Sequence, residues 1–207
     1  MLALPNVYIA GSQCTRKTTL VNAFIEHLSH GPPVERPSVI EEGSGSSCRL
    51  VGSRQTRFRS SKEQTMKLQR LIMEAQFESE KLRLERSSWN ISDRSALNNI
   101  VYAWKNAGRE AAKELPKAAK WAEMRYRMAR SLVIVCEAGA DWLQGDDLRL
   151  MPTNWEEWLE VRTGFCQALE DFGLAYEVLS CEAVAMEDRA EVVATTFTRT
   201  SCITENE

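Results

Sequence analysis

No stretch of the sequence approaches the ~20 consecutive apolar residues that a membrane-crossing helix needs, so no membrane role is expected. The first residues, Met1-Leu2-Ala3-Leu4-Pro5, lack the positive start and long apolar run of a secretory leader. The six cysteines (Cys14, Cys48, Cys136, Cys166, Cys181 and Cys202) form no C-x-x-C pair. The two histidines, His27 and His30, stand apart from most of them, which argues against a structural zinc site. Cys136 sits inside an apolar run, where a reduced thiol behaves as a small hydrophobe, and a reducing, cytoplasmic setting is expected. A basic excess is also missing. The formal net charge of −3 argues against a dedicated nucleic-acid binder. Internal repeats, low-complexity tracts and interdomain linkers are absent too.

What is present suits an ordinary globular chain: 207 residues, 43% hydrophobic and 27% charged. One compact domain over residues 1–207 is expected, with its core at about 6–195. The residue order predicts β-α-β-α-β-α-β-α-β-α. Strands fall near residues 7–11, 37–42, 88–93, 131–136 and 175–179. Helices fall from Lys17 to about 28, over 62–86, over 98–106 and 109–130 with interruptions near Gly108 and at Pro116, from Asn154 to about 172, and over 186–198. The tail from Thr200 is expected to fray. In the helix over 62–86, Leu68, Leu71, Ile72, Ala75 and Leu82 read as the apolar face. In the one that Asn154 starts, the apolar face is Trp155, Trp158, Leu159, Phe165, Cys166 and Leu169. Ser131-Leu132-Val133-Ile134-Val135-Cys136 is apolar almost throughout, as expected of a central parallel strand covered on both faces. The fold class is therefore α/β: a three-layer, mostly parallel five-stranded sheet with helices on both faces.

The most informative stretch is Gly11-Ser12-Gln13-Cys14-Thr15-Arg16-Lys17-Thr18-Thr19, between the first strand and first helix. It matches the phosphate-loop pattern G-x-x-x-x-G-K-[ST] at Gly11, Lys17 and Thr18, and departs from it at Arg16. Such a loop curls backbone N–H groups round phosphates at the positive end of a helix. Lys17 would neutralise outer phosphate oxygens, and the Thr18 hydroxyl would ligate Mg²⁺. An arginine at position 16 has three options: swing outward to solvent, add a bidentate phosphate contact, or fill the pocket and block nucleotide.

The second element is Asp93-Arg94-Ser95, at the carboxyl end of the third strand, the edge where α/β sheets gather ligands. Asp93 there can hold Mg²⁺ or accept a hydroxyl proton. The plainer option is that Asp93 or Ser95 caps the next helix. Arg94 could clamp an acceptor or a transferring phosphoryl group. A basic insert (43–61) and a candidate lid (139–153) complete the sequence features. The insert contains only Phe58 as an aromatic, which counts against stacking on nucleic acid.

These motifs resemble those of the AAA-type P-loop domain family that includes ribosylnicotinamide kinase-like proteins. They extend to Gln69-Arg70-Leu71-Ile72-Met73-Glu74-Ala75-Gln76, Ser92 through Ala103, and Val133 through Gly139. The resemblance implies ATP and Mg²⁺ as cofactors and a small-molecule acceptor. Lys17 and Thr18 would take triphosphate and metal, Asp93 would be the metal-associated or general-base carboxylate, and Arg94 would face the acceptor. Arg149, in the candidate lid, would contact phosphate. Two functions follow as expectations. One is an ATP-dependent phosphotransferase acting on a small-molecule hydroxyl, with nucleosides among the candidates. The other is a degenerate P-loop protein in which Arg16 closes the loop to ATP, kept for binding or for different chemistry.

Overall fold

The computed structural model describes residues 4–13, 15–31, 35–41, 61–138, 154–183 and 185–203. Five strands, β1 (Val7–Gly11), β2 (Ser38–Ile40), β3 (Asn90–Asp93), β4 (Leu132–Cys136) and β5 (Glu177–Leu179), form one sheet in the order β2-β3-β1-β4-β5. Every pairing is parallel, as the sequence order predicts. The register sets Ile9 beside Asp93 and Gly11 beside Cys136, so the carboxyl ends of β1, β3 and β4 share one edge.

Alternation along β1 shows why the sheet is covered twice. Tyr8 and Ala10 enter one core with Val133 and Val135, under α2 (Lys62–Leu84), α3 (Ala96–Ala107), α5 (Ala119–Met128) and α6 (Trp155–Asp171). Val7 and Ile9 enter the other with Ile91 and Ile134, under α1 (Lys17–His30) and α7 (Met186–Ile203). On that second face Phe197 lies between Trp89, stacked at 4.8 Å, and Phe24, edge-on at 5.8 Å. Apolar burial of this kind supplies most of the stabilisation.

Between α3 and α5 the chain makes a short helix, α4 (Arg109–Ala112), and a 3₁₀ turn, Leu115–Lys117. The breaks fall at Gly108 and Pro116, where the sequence places them. Asn154 caps α6, its Oδ1 accepting the Glu157 N–H at 2.8 Å.

Three expectations are corrected. The buried face of α2 is Thr65, Met66, Leu68, Gln69, Met73, Phe77 and Glu80, while Leu71 and Leu82 are exposed at 42% and 47%. The reason is a polar seam: α2 carries Glu80 inward to Tyr8, so the helix is rotated from its most apolar setting. Trp155 is exposed, because α6 turns Trp158 inward instead. Finally, α7 continues to Ile203 rather than fraying at Thr200.

The seam is buried and well connected. Tyr8 Oη and Arg127 donate to Glu80 Oε2 at 3.0–3.2 Å. Gln76 Nε2 donates to Glu80 Oε1 at 2.9 Å and to Ser92 Oγ at 3.0 Å. Burial pushes the Glu80 carboxyl above its ordinary value, with Gln76 and Arg127 opposing the rise. The Tyr8 hydroxyl is raised as well, by burial first and by the glutamate charge next.

Candidate functional site

The turn after β1 begins at Gly11, whose φ is +131°. A Cβ there would lie 2.6 Å from the Cys136 carbonyl oxygen of the neighbouring strand, so any side chain would force β1 and β4 apart. The chain then turns back under itself. Thr15 Oγ1 donates to the Ser12 carbonyl at 3.0 Å, and Lys17 Nζ donates to the same oxygen at 2.5 Å. Ser12, Gln13, Thr15 and Lys17 are all buried. The Lys17 ammonium is thereby fixed at the loop and at the N-terminus of α1, where the helix dipole is positive.

Arg16 caps α1 with φ 56° and ψ 33°, the left-handed conformation that a glycine adopts freely. The residue is exposed. Backbone geometry at this position thus follows the glycine pattern although the residue does not.

Asp93 ends β3 almost wholly buried, and its Oδ2 accepts a hydrogen bond from Thr18 Oγ1. Its other oxygen, Oδ1, is buried and has no hydrogen-bond partner among the described residues. Capping of α3 falls to Ser95, whose N–H donates to Asn98 Oδ1 at 2.9 Å. Asp93 is therefore not a cap. A threonine hydroxyl and a carboxylate with one uncommitted oxygen form a donor set of hard oxygens, which suits Mg²⁺ completed by phosphate and water. Among the described residues no group of three or more His, Cys, Asp or Glu is placed to hold a metal ion.

Arg94 follows with φ +110°, strained for a residue with a side chain, while its N–H donates to the Ile9 carbonyl at 3.1 Å. Such strain in a non-glycine residue gathers at functional sites. The guanidinium lies 6.0 Å from the Tyr102 ring centroid. Thr19 is exposed on the first turn of α1. Cys14, Arg149, most of the basic insert and the candidate lid lie outside the described residues. The structure thus brings Gly11, Ser12, Gln13, Thr15, Arg16, Lys17, Thr18, Asp93 and Arg94 to one edge.

Two residues that the sequence does not advertise also reach the loop. Trp158, wholly buried on α6, donates from Nε1 to the Gln13 carbonyl at 2.8 Å, and Ser12 Oγ donates back to the Trp158 carbonyl at 3.3 Å. Arg189, wholly buried on α7, donates from Nη2 to the Thr15 carbonyl at 3.4 Å and from Nη1 to the Ser180 carbonyl at 3.5 Å. In sequence Trp158 reads as one more residue of an apolar helix face, and no motif singles out Arg189. Cys136 lies close by, and burial holds its thiol above the usual range despite the opposing influence of Arg189 and Lys17. It is a packed, protonated group, not a nucleophile.

A parallel sheet ordered 2-3-1-4-5, a lysine-bearing loop after β1 and a carboxylate at the end of β3 define a P-loop domain of the kinase-like type. The model of a family described as AAA domain matches residues 6–189, and the chain belongs to that family. Among solved structures it is similar to deoxyadenosine kinase from M. mycoides, described with the product dCMP and a flexible dCDP bound. That likeness has a TM-score of 0.64 and 12% identity, covering 94% of this chain and 98% of the other. A comparison with curated proteins gave no match.

Proposed function

We propose that the protein is an ATP-dependent phosphotransferase acting on a hydroxyl of a small molecule, with a nucleoside as the preferred acceptor class. The observation that carries the reading is the Thr18–Asp93 hydrogen bond beside Lys17, because it joins the two sequence motifs in one site. The name of the similar kinase supports the acceptor class.

In this reading the loop N–H groups and Lys17 bind the triphosphate, and Lys17 offsets the charge that develops on the transferred group. Thr18 and Asp93 would hold Mg²⁺, which when bound neutralises charge across the outer phosphates. If the metal is held by Thr18 and phosphate alone, Asp93 is instead the base that orients the acceptor hydroxyl and takes its proton. Arg94, beside it, holds the acceptor or the transferring phosphoryl group. Positioning and charge neutralisation do most of the catalysis. The alternative, in which Arg16 closes the loop to ATP, is separated from this one by the nucleotide affinity of Arg16→Gly, which it predicts to rise.

Calorimetry with Mg-ATP on the full chain tests the reading. Binding is expected, with Lys17→Ala losing it and Asp93→Asn losing turnover against a nucleoside panel by about 10²–10⁴-fold, the range for a positioned acid or base. A wild-type chain that binds no Mg-ATP would end the proposal.

A further inference from the structure

The carbonyls of Ser12, Gln13 and Thr15 are each taken by a side-chain donor. Ser12 is held by Lys17 and Thr15 from within the loop. Gln13 is held by Trp158 from α6, and Thr15 by Arg189 from α7, side chains 145 and 174 residues away in sequence. A planar peptide points its carbonyl and the next residue's N–H in opposite directions. Fixing the Thr15 carbonyl on Arg189 therefore aims the Arg16 N–H the other way, and Trp158 fixes the Gln13 carbonyl at the start of the same turn. The left-handed backbone at Arg16 disfavours a non-glycine residue by roughly 5- to 30-fold in population. Something outside the residue must hold it there.

We propose that Trp158 and Arg189 are positioning residues of the phosphate loop. By holding the Gln13 and Thr15 carbonyls they keep the anion-binding N–H groups aimed and let Arg16 occupy a position that otherwise calls for glycine. The nucleotide half of the inference rests on the phosphotransferase reading; the anchoring half does not. The two anchors belong to different faces of the sheet, since α6 covers one core and α7 the other. The loop is thus clamped from both layers. Trp158 also stands one turn from Arg162, whose Nη2 pairs with Glu137 Oε1 at 2.6 Å just past β4, so α6 is tied to the same edge twice.

The test uses the full chain with Trp158→Phe, Arg189→Met and Arg189→Lys, each alone and combined with Arg16→Gly. Amide hydrogen exchange by mass spectrometry is read without nucleotide, and Mg-ATP affinity by calorimetry. Trp158→Phe and Arg189→Met should each speed exchange in the peptide over residues 11–20 by about tenfold, within the penalty at Arg16, and leave the β4 peptide unchanged. Each should weaken Mg-ATP by a similar factor, Arg189→Lys by less. Adding Arg16→Gly should recover most of both losses, because glycine needs no holding. Equal losses with and without Arg16→Gly would mean that the two residues only pack, and would overturn the proposal, as would unchanged loop exchange. If the wild-type chain binds no Mg-ATP, the phosphotransferase reading falls and the exchange cycle alone decides the anchoring. If Arg189→Met does not fold, Trp158→Phe, which keeps most of the ring volume, carries the same test.

Discussion

Three glycine-to-alanine substitutions separate strain from collision at the root of the loop. At Gly11 both act: φ is +131°, and the added Cβ would meet the Cys136 carbonyl oxygen at 2.6 Å. Strain of this kind is worth about 1–3 kcal/mol, and forcing backbone apart in a packed interior adds about 1–3 kcal/mol more. Gly11→Ala should therefore destabilise by about 4 kcal/mol, which in a chain of this size lowers Tm by about 8–16 °C. At Gly108 φ is +92° and nothing lies within 4 Å of the added atom, so only the strain remains, about 1–3 kcal/mol. Gly164 lies inside α6, where the added atom would meet only Val101 Cγ1, at 3.3 Å. Helix propensity favours alanine there by about 0.5–1 kcal/mol, which offsets the crowding and leaves Gly164→Ala within about 1 kcal/mol of wild type. Thermal and urea unfolding followed by circular dichroism rank the three. A Gly11→Ala chain no less stable than Gly108→Ala would refute the collision, and with it the claim that β1 and β4 meet so closely at the loop.

Burial raises the Glu80 carboxyl above its ordinary value of 4.5, so its proton is held more tightly in the folded than in the unfolded chain. Its contribution is full below about pH 4.5 and declines as pH rises through the raised folded value. Glu80→Gln should therefore gain stability relative to wild type as pH rises from about 4.5 through the raised folded value, measured by urea midpoints; a flat difference would refute the dominance of burial over the Arg127 pair. Phe197→Ala should cost about 4 kcal/mol by chemical denaturation, since the ring is buried between Trp89 and Phe24. A loss under about 1 kcal/mol would mean that the α1–α7 layer repacks freely.

The fold was legible in the sequence because β1 and β4 are unbroken apolar runs and the connections between elements carry glycine and proline. The five strands, their order along the chain and the helix starts at Lys17 and Asn154 rest on such local signals. The α2 face was misread for a physical reason. Hydrophobic periodicity assumes that the most apolar stripe goes inward, and Glu80 goes inward instead because Tyr8, Gln76 and Arg127 satisfy it there. A satisfied buried carboxylate leaves no mark in a hydropathy pattern.

The site divides along the same line. Gly11, Lys17 and Thr18 stand at a spacing that chemistry requires and Asp93 ends a strand, and both signals are visible in one dimension. Trp158 and Arg189 act on the loop only through backbone carbonyls, and a carbonyl accepts from any donor that topology delivers. No pattern of residue types can therefore point to them. The same reasoning explains how Arg16 breaks the motif without breaking its geometry. The pattern asks for glycine because a lone glycine adopts the left-handed backbone freely, whereas here the neighbouring peptide is held from α7. What the loop needs at position 16 is a conformation, and the surrounding fold supplies it to a residue that would not choose it alone.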